Sequence, residues 1–306
     1  MIPACAFASA PYLYEPMMHR LTSLLLLWVC LGVGISGALA QETVRATGAV
    51  SLALPLSEAV MTLRTENNID LILRTNGGTE TALDALGAHT CSLALCSRAV
   101  TVIDRADYPA AQFQETPIGL QLLSLVVSRD VWVGGLRALS AAQVRSIYEG
   151  RITNWKDVGG PDLRIKLFMN VQGRGQWEIF VQWLYGGIKK APIWKGDKVK
   201  EINEIRNILE FTPGSCALLP PNFTDYRTLF ALGIVDDAGN VVQPTVANAL
   251  KGIYPLGRPL NLVTDDKPAG GVKVVIDFMV SERGQALIKR YGYVGLEEIR
   301  AVRARK

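Results

Sequence analysis

Apolar residues recur along this chain in two rhythms. Short solid runs at residues 45–54, 69–74 and 91–96 have the length and the Val, Ile and Leu content of buried strands. Stretches of helical period separate them. Pro55 stands where a helix over residues 56–64 would begin, a position that needs no N–H. Thr79, after Asn76-Gly77-Gly78, can cap a second helix that carries Ala82, Leu83 and Leu86. Strand, helix, strand, helix, strand at this spacing predicts parallel βαβ units, with helices on both faces of a sheet.

Residues 118–127, IGLQLLSLVV, read as one longer strand. In the next stretch, LSAAQVRSIYEGRITNWKDVGGP (139–161), Ser140 and Gln143 make a capping box and Val144, Ile147 and Tyr148 form one apolar stripe. Gly150 can end that helix in the left-handed conformation, and Ile152 and Trp155 re-enter a core. Residues 163–169 read as a strand, 177–184 as a helix, 191–199 as a lysine-rich surface loop, 199–209 as a helix and 214–219 as a short strand. The segment YPLGRPLNL (254–262) is extended. The tail beyond Leu296 is basic and reads as an exposed helix end.

Taken as letters, 139–161, 254–262 and 281–296 resemble segments of the phosphate-type substrate-binding proteins of ABC importers. That family reads close to "leqLrdIftGkitnWkdvGgpd", "YPlsRPLyl" and "sp.GQ.iv...GYvpl" at these places, in the same order. The resemblance covers nearly all of the chain after residue 40. It implies an α/β, two-lobed periplasmic-binding-protein fold (type II), two α/β lobes joined by two crossing strands. One lobe would hold residues 41–121 plus 258–306 and the other 122–257. It also implies a binding protein rather than an enzyme, closing around inorganic phosphate or a similar small anion and serving an ABC permease in the inner membrane.

The first forty residues change the picture in one respect. Arg20, the apolar run 24–33 and the small residues Ala38-Leu39-Ala40 have the form of a signal peptide cut after Ala40, which predicts a periplasmic protein. The run is too short to span a bilayer comfortably. Residues 1–16 fit no part of such a signal, and Met17 or Met18 is the better start. A lipoprotein would need a small residue before Cys30, where Val29 stands.

Composition excludes more than it identifies. A net charge of +4 with a pI near 8.8 lacks the clustered basic face of a nucleic-acid binder. After residue 40 the cysteines are Cys91, Cys96 and Cys216, and the histidine is His89. Odd strand spacing sets Cys91 and Cys96 roughly 16 Å apart, too far for a disulfide, so buried free thiols are expected. One histidine and no Cys-x-x-Cys pair argue against a metal site or a His-based triad, and no cofactor is expected. The expected state is a monomer.

Anion chemistry, if present, belongs at strand-to-helix loops, where helix N-termini offer free N–H groups and partial positive charge. Candidate ligand-binding residues are Ser51, Thr79, Ser97, Arg98, Arg174, Gly175 and Gln176. Ser97-Arg98 matches the family's "aSR". Elsewhere the site departs from it. Ala49-Val50 replace a Ser/Thr pair, Glu80 brings a carboxylate close, Asn170 stands where an arginine is expected, and Arg174-Gly175-Gln176 replace Ser-Gly-Thr. Each lost charge-assisted hydrogen bond would cost about 1.5–3 kcal/mol. Plainer roles exist for the same residues. Ser51 and Thr79 also serve as helix caps, Arg98 can pair with Glu80 or Asp104, Arg174 can point to solvent, and Trp155, Trp177, Trp183 and Trp194 suit a core. An envelope sensor or scaffold without transport is the alternative reading of these departures.

Overall fold

The structure is a computed structural model. It describes residues 41–75, 77–170, 175–187, 195–199 and 202–305, with the side chains of residues 170, 175–178, 202–203 and 222 left out of the description. The expected signal peptide, Arg174 and residues 191–194 of the expected lysine-rich loop therefore lie outside the described residues.

The chain opens with β1 (Glu42–Gly48), α1 (Val50–Asn67), β2 (Ile69–Arg74), α2 (Gly78–Gly87), β3 (Leu93–Cys96), α3 (Val102–Asp107) and β4 (Gln114–Leu122). β1 pairs in parallel with both β2 and β3. With β12 (Gly257–Thr264) these strands make a five-stranded sheet in the order β2-β1-β3-β12-β4. β12 runs antiparallel to both of its neighbours.

The second sheet comes from the middle of the chain. It contains β5 (Ser124–Ser128), β6 (Ala138–Ser140), β7 (Lys166–Asn170), β8 (Asp197–Val199), β9 (Ser215–Leu219), β10 (Leu229–Val235) and β11 (Val241–Val242). The order is β11-β10-β5-β9-β7-β8, with β6 paired to β10. Its helices are α4 (Arg129–Val133), α5 (Ala141–Tyr148), α6 (Gly175–Tyr185), α7 (Ile202–Phe211) and α8 (Val246–Leu250). The C-terminal helices are α9 (Gly270–Val280), α10 (Glu282–Arg290) and α11 (Leu296–Ala304).

The two largest cores follow from the apolar stripes. Leu52, Leu56, Ala59 and Leu63 give α1 one buried face against β1, β2, β3 and β12. Tyr148, Trp155, Phe180 and Leu184 anchor the other core, on the second sheet. The motif around Trp155 folds as its letters suggest. Ser140 and Gln143 form the capping box, Gly150 takes φ +74°, and Asn154 caps a short 3-10 turn over Trp155–Val158. Trp155 is fully buried and its Nε1–H donates to Gly214 O at 2.9 Å.

Four expectations need correction. α1 begins at Val50, not at Pro55, so the proline lies inside the helix. The strand stops at Gly48, whose φ of +141° turns the chain, and a Cβ there would stand 2.3 Å from Leu95 O. The expected strand at 118–127 is two strands in different sheets, broken at Leu123, whose N–H donates to Leu256 O at 3.0 Å. Thr79 is not a cap. Gly77 holds the N-cap place of α2 and Thr79 lies in the first turn. The end of the chain is not wholly exposed, because Leu296 and Ile299 of α11 enter the core that the second sheet shares with β4. The three cysteines are buried and free, as expected. Among the described residues no helix is long and apolar enough to cross a membrane.

Candidate functional site

In the first sheet β1 has β2 on one side and β3 on the other. Chain order therefore reverses between β1 and β3, and their following loops part there. That is where open α/β sheets form a crevice beyond the carboxyl ends of their strands. Three of the candidate segments meet at this point. The loop after β1 is tied to β3 by Ala49 N–H donating to Leu95 O at 2.9 Å. The first turn of α2 is tied to the end of β3 by Ser97 N–H donating to Thr79 Oγ1 at 2.8 Å. The two hydroxyls, Thr79 Oγ1 and Ser97 Oγ, lie 3.4 Å apart. Ser51, Thr79 and Ser97 are all buried.

The N-terminus of α1 has the right electrostatics for an anion. The helix is 18 residues long, carries no acidic residue in its first turn, and has no side-chain cap. The N–H groups of Val50 and Ser51 have no acceptor among the described residues. Pro55 adds to this irregular start, since it cannot donate to the carbonyl of Ser51. An uncapped positive helix end with free N–H groups favours negative charge. α2 is less favourable. Its first turn holds the exposed Glu80, whose charge adds a little to the Asp104 hydrogen bond that raises the pKa of the Arg98 guanidinium.

Arg98 makes the structural ion pair with Asp104. Its Nη1 and Nη2 donate to Asp104 at 2.5 and 2.9 Å, and Nη1 also reaches Ala99 O at 3.0 Å. The Arg98 guanidinium holds the Asp104 carboxyl well below the usual carboxylate range. Asp104 in turn closes a capping box with Thr101 at the start of α3. The pairing leaves Nε–H and one Nη2–H of Arg98 without a bond among the described residues, on a side chain 41% exposed.

On the other sheet, α6 starts at Gly175 after β7, and α6 comes into contact with α1. The third expected loop thus leads into a helix that meets α1. Arg174 lies outside the described residues, and so does the side chain of Gln176. The structure brings Ser51, Thr79, Ser97 and Arg98 to the carboxyl end of β1 and β3 in the first sheet. It also adds Glu115, which the sequence reading passed over, and which accepts Val100 N–H at 3.1 Å. A lone glutamate at the head of a strand gives no pattern by which to find it. Among the described residues no group of three or more His, Cys, Asp or Glu is placed to hold a metal.

Comparison with known proteins agrees with this architecture. Residues 36–283 match the family described as the PBP superfamily domain. The chain is 25% identical over 201 residues to the phosphate-binding protein PstS of Bacillus subtilis, a match covering 62% of this chain and 64% of that protein. It is 24% identical over 263 residues to PstS of Borreliella burgdorferi, covering 84% of this chain and 91% of the relative. Among solved structures, a possible phosphate binding protein from Planctomyces limnophilus superposes with a TM-score of 0.70 at 21% identity, over 87% of this chain and 98% of that one. The fold of that structure is the two-sheet α/β fold described above, and with most of its length inside the family match this chain belongs to the PBP superfamily domain family.

Proposed function

We propose that this protein is a periplasmic solute-binding protein that closes its two lobes around a small oxyanion, phosphate first, and delivers it to an ABC permease in the inner membrane. The observation that carries the reading is the start of α1. Two free N–H groups sit on an unneutralised positive helix end, beside the buried Thr79–Ser97 hydroxyl pair, at the point where chain order reverses in the sheet. The names of the PstS relatives support phosphate as the anion. The moving bodies are residues 41–121 plus 258–306 and residues 122–257, linked by the passage from β4 to β5 and the return through β12. Closure about such strands encloses the ligand between the loops that lead into α1 and α6. The reading contains no chemical step.

Arg98 enters this site with two N–H donors rather than five. Thr79 accepts the Ser97 N–H, and of the two hydroxyl protons in the Thr79–Ser97 pair one remains to offer. The missing Ser/Thr pair after Gly48 is offset by backbone N–H groups, which carry no sequence signature. Isothermal titration of the purified protein, stripped of ligand by partial unfolding and refolding, tests the reading against phosphate, sulfate and small carboxylates. Phosphate binding at micromolar Kd or tighter is expected, with Thr79→Val weakening it at least tenfold. A folded protein that takes up no phosphate overturns the assignment of the anion.

A further inference from the structure

The loop that carries Ser97 and Arg98 is held at both ends by one polar chain that crosses the first sheet. It leaves β3 at Cys96, which lies opposite Asn261 of β12 in the strand register. A β-bulge between Leu260 and Asn261 interrupts the β12–β4 ladder at that residue. Bulges re-aim side chains. Here the Asn261 amide Nδ2 donates to Glu115 Oε2 at 2.9 Å, across the sheet face. Glu115 is paired in register with Val263, so Asn261, two residues away, shares its face. The same Oε2 accepts Val100 N–H at 3.1 Å, which closes the loop. Arg105 adds a long contact at 3.5 Å to Oε1 and fixes itself on Phe113 O at 2.9 Å. Asn261 is buried, so a lost partner there would not be replaced freely by water.

We propose that Glu115 is a positioning residue for the anion site. Through Val100 N–H it holds residues 97–101 in place, and through Asn261 it ties their position to β4 and β12, the strands that link the lobes. This rests on the anion reading above and deepens it. Neither Glu115 nor Asn261 touches the anion. They set where the Ser97 and Arg98 donors stand and couple that position to lobe closure. At the place of Asn261 the family motif "YPlsRPLyl" carries an aromatic residue, which cannot make this amide-to-carboxylate bond.

The test uses the whole purified protein as wild type, Glu115→Ala, Glu115→Gln, Asn261→Ala and the double variant Glu115→Ala/Asn261→Ala. Titration with inorganic phosphate is expected to show about tenfold weaker binding for Glu115→Ala and about threefold for Asn261→Ala. The double variant should be no weaker than Glu115→Ala, because both act through one chain of bonds. Glu115→Gln keeps an amide oxygen for Val100 N–H and should stay within about threefold of wild type, with melting temperatures alike. Glu115→Ala binding phosphate as wild type does would overturn the proposal, as would strict additivity of the two substitutions. If Glu115→Ala does not fold, Asn261→Ala and Glu115→Gln decide it by the same criteria. If wild type itself gives no heat with phosphate, the anion reading falls, and hydrogen exchange of residues 97–101 decides the positioning role alone. Faster exchange in Glu115→Ala with wild-type exchange in Glu115→Gln supports it, and equal exchange in all variants overturns it.

Discussion

Trp155→Phe separates a core tryptophan from a ligand platform. Trp155 is fully buried in the core of the second sheet, and its indole N–H bonds to Gly214 O at 2.9 Å. Phenylalanine keeps the apolar contact of one ring and removes the other with its donor. Gly214 O retains the Lys166 N–H at 3.0 Å, so the lost bond costs about 1 kcal/mol rather than the full penalty of an orphaned carbonyl. The smaller ring leaves a void of roughly 40 Å³, which at about 24 cal/mol per Å³ costs about 1 kcal/mol more. The apolar surface no longer buried adds about 1 kcal/mol. The expected loss is therefore about 3 kcal/mol, or a melting temperature lower by about 5 °C for a chain of this size. Urea unfolding followed by far-ultraviolet circular dichroism measures it. The midpoint should fall with the slope unchanged. Phosphate affinity of the folded variant should stay within about twofold of wild type. A stability loss under about 1 kcal/mol would refute the packing argument, and a collapse of affinity in a fully folded variant would refute the core assignment.

Two further predictions follow from polar groups. Asp104→Asn removes the carboxylate that Arg98 grips, and should lower stability by about 1 kcal/mol near neutral pH, because Arg98 is well solvated. Asp104 has a folded pKa below its unfolded value, so its contribution is complete above about pH 5 and fades as pH falls through and below about 4. The gap between variant and wild type in thermal melts should close over that window; a gap that widens in acid would reverse the sign argument. Gln121→Met addresses β4. Gln121 is wholly buried on β4, and neither its Oε1 nor its Nε2 has a hydrogen-bond partner among the described residues. Replacing that amide with an apolar side chain of similar length should stabilise the ligand-free protein by about 1–2 kcal/mol in urea melts, whereas destabilisation would mean that the amide is bonded in solution.

Much of the fold was legible because its signals are local. The capping box at Ser140 and Gln143, the left-handed glycine at Gly150 and the apolar stripe of 144–148 depend on neighbours within one turn. Pro55 misled because proline is commonest at a helix start, yet this helix gains its first turn from Gly48 and from the bond between Ala49 and Leu95, a residue far along the chain. The run at 118–127 looked continuous because every residue in it is apolar or buried whichever sheet it joins. Only the pairing of β4 with β12 and of β5 with β9 and β10 divides it. At the site, side chains could be named but their partners could not. Thr79 reads equally well as a cap or a donor in the sequence, whereas the structure puts Gly77 at the cap place and makes Thr79 the acceptor of Ser97 N–H. The free N–H groups of Val50 and Ser51 belong to the backbone and leave no letter in the sequence.

The place of β12 between β3 and β4 also sets an order of assembly. The second sheet draws all its strands from one continuous stretch, β5 to β11, and can form as soon as that stretch is available. The first sheet cannot. Its fourth strand in space is its last in sequence, and β3 and β4 have no edge to share until residues 257–264 arrive between them. Pairing at such sequence separation is slow, because loop closure must come before its contacts form. A chain emerging N-terminus first therefore holds β1 to β4 as an open, incomplete half-sheet while the second lobe folds. Loss of the C-terminal fifty residues would leave β3 and β4 without their shared partner, so it would open the N-terminal lobe, far from the cut in sequence, as well as strip α11 from the core of the second sheet.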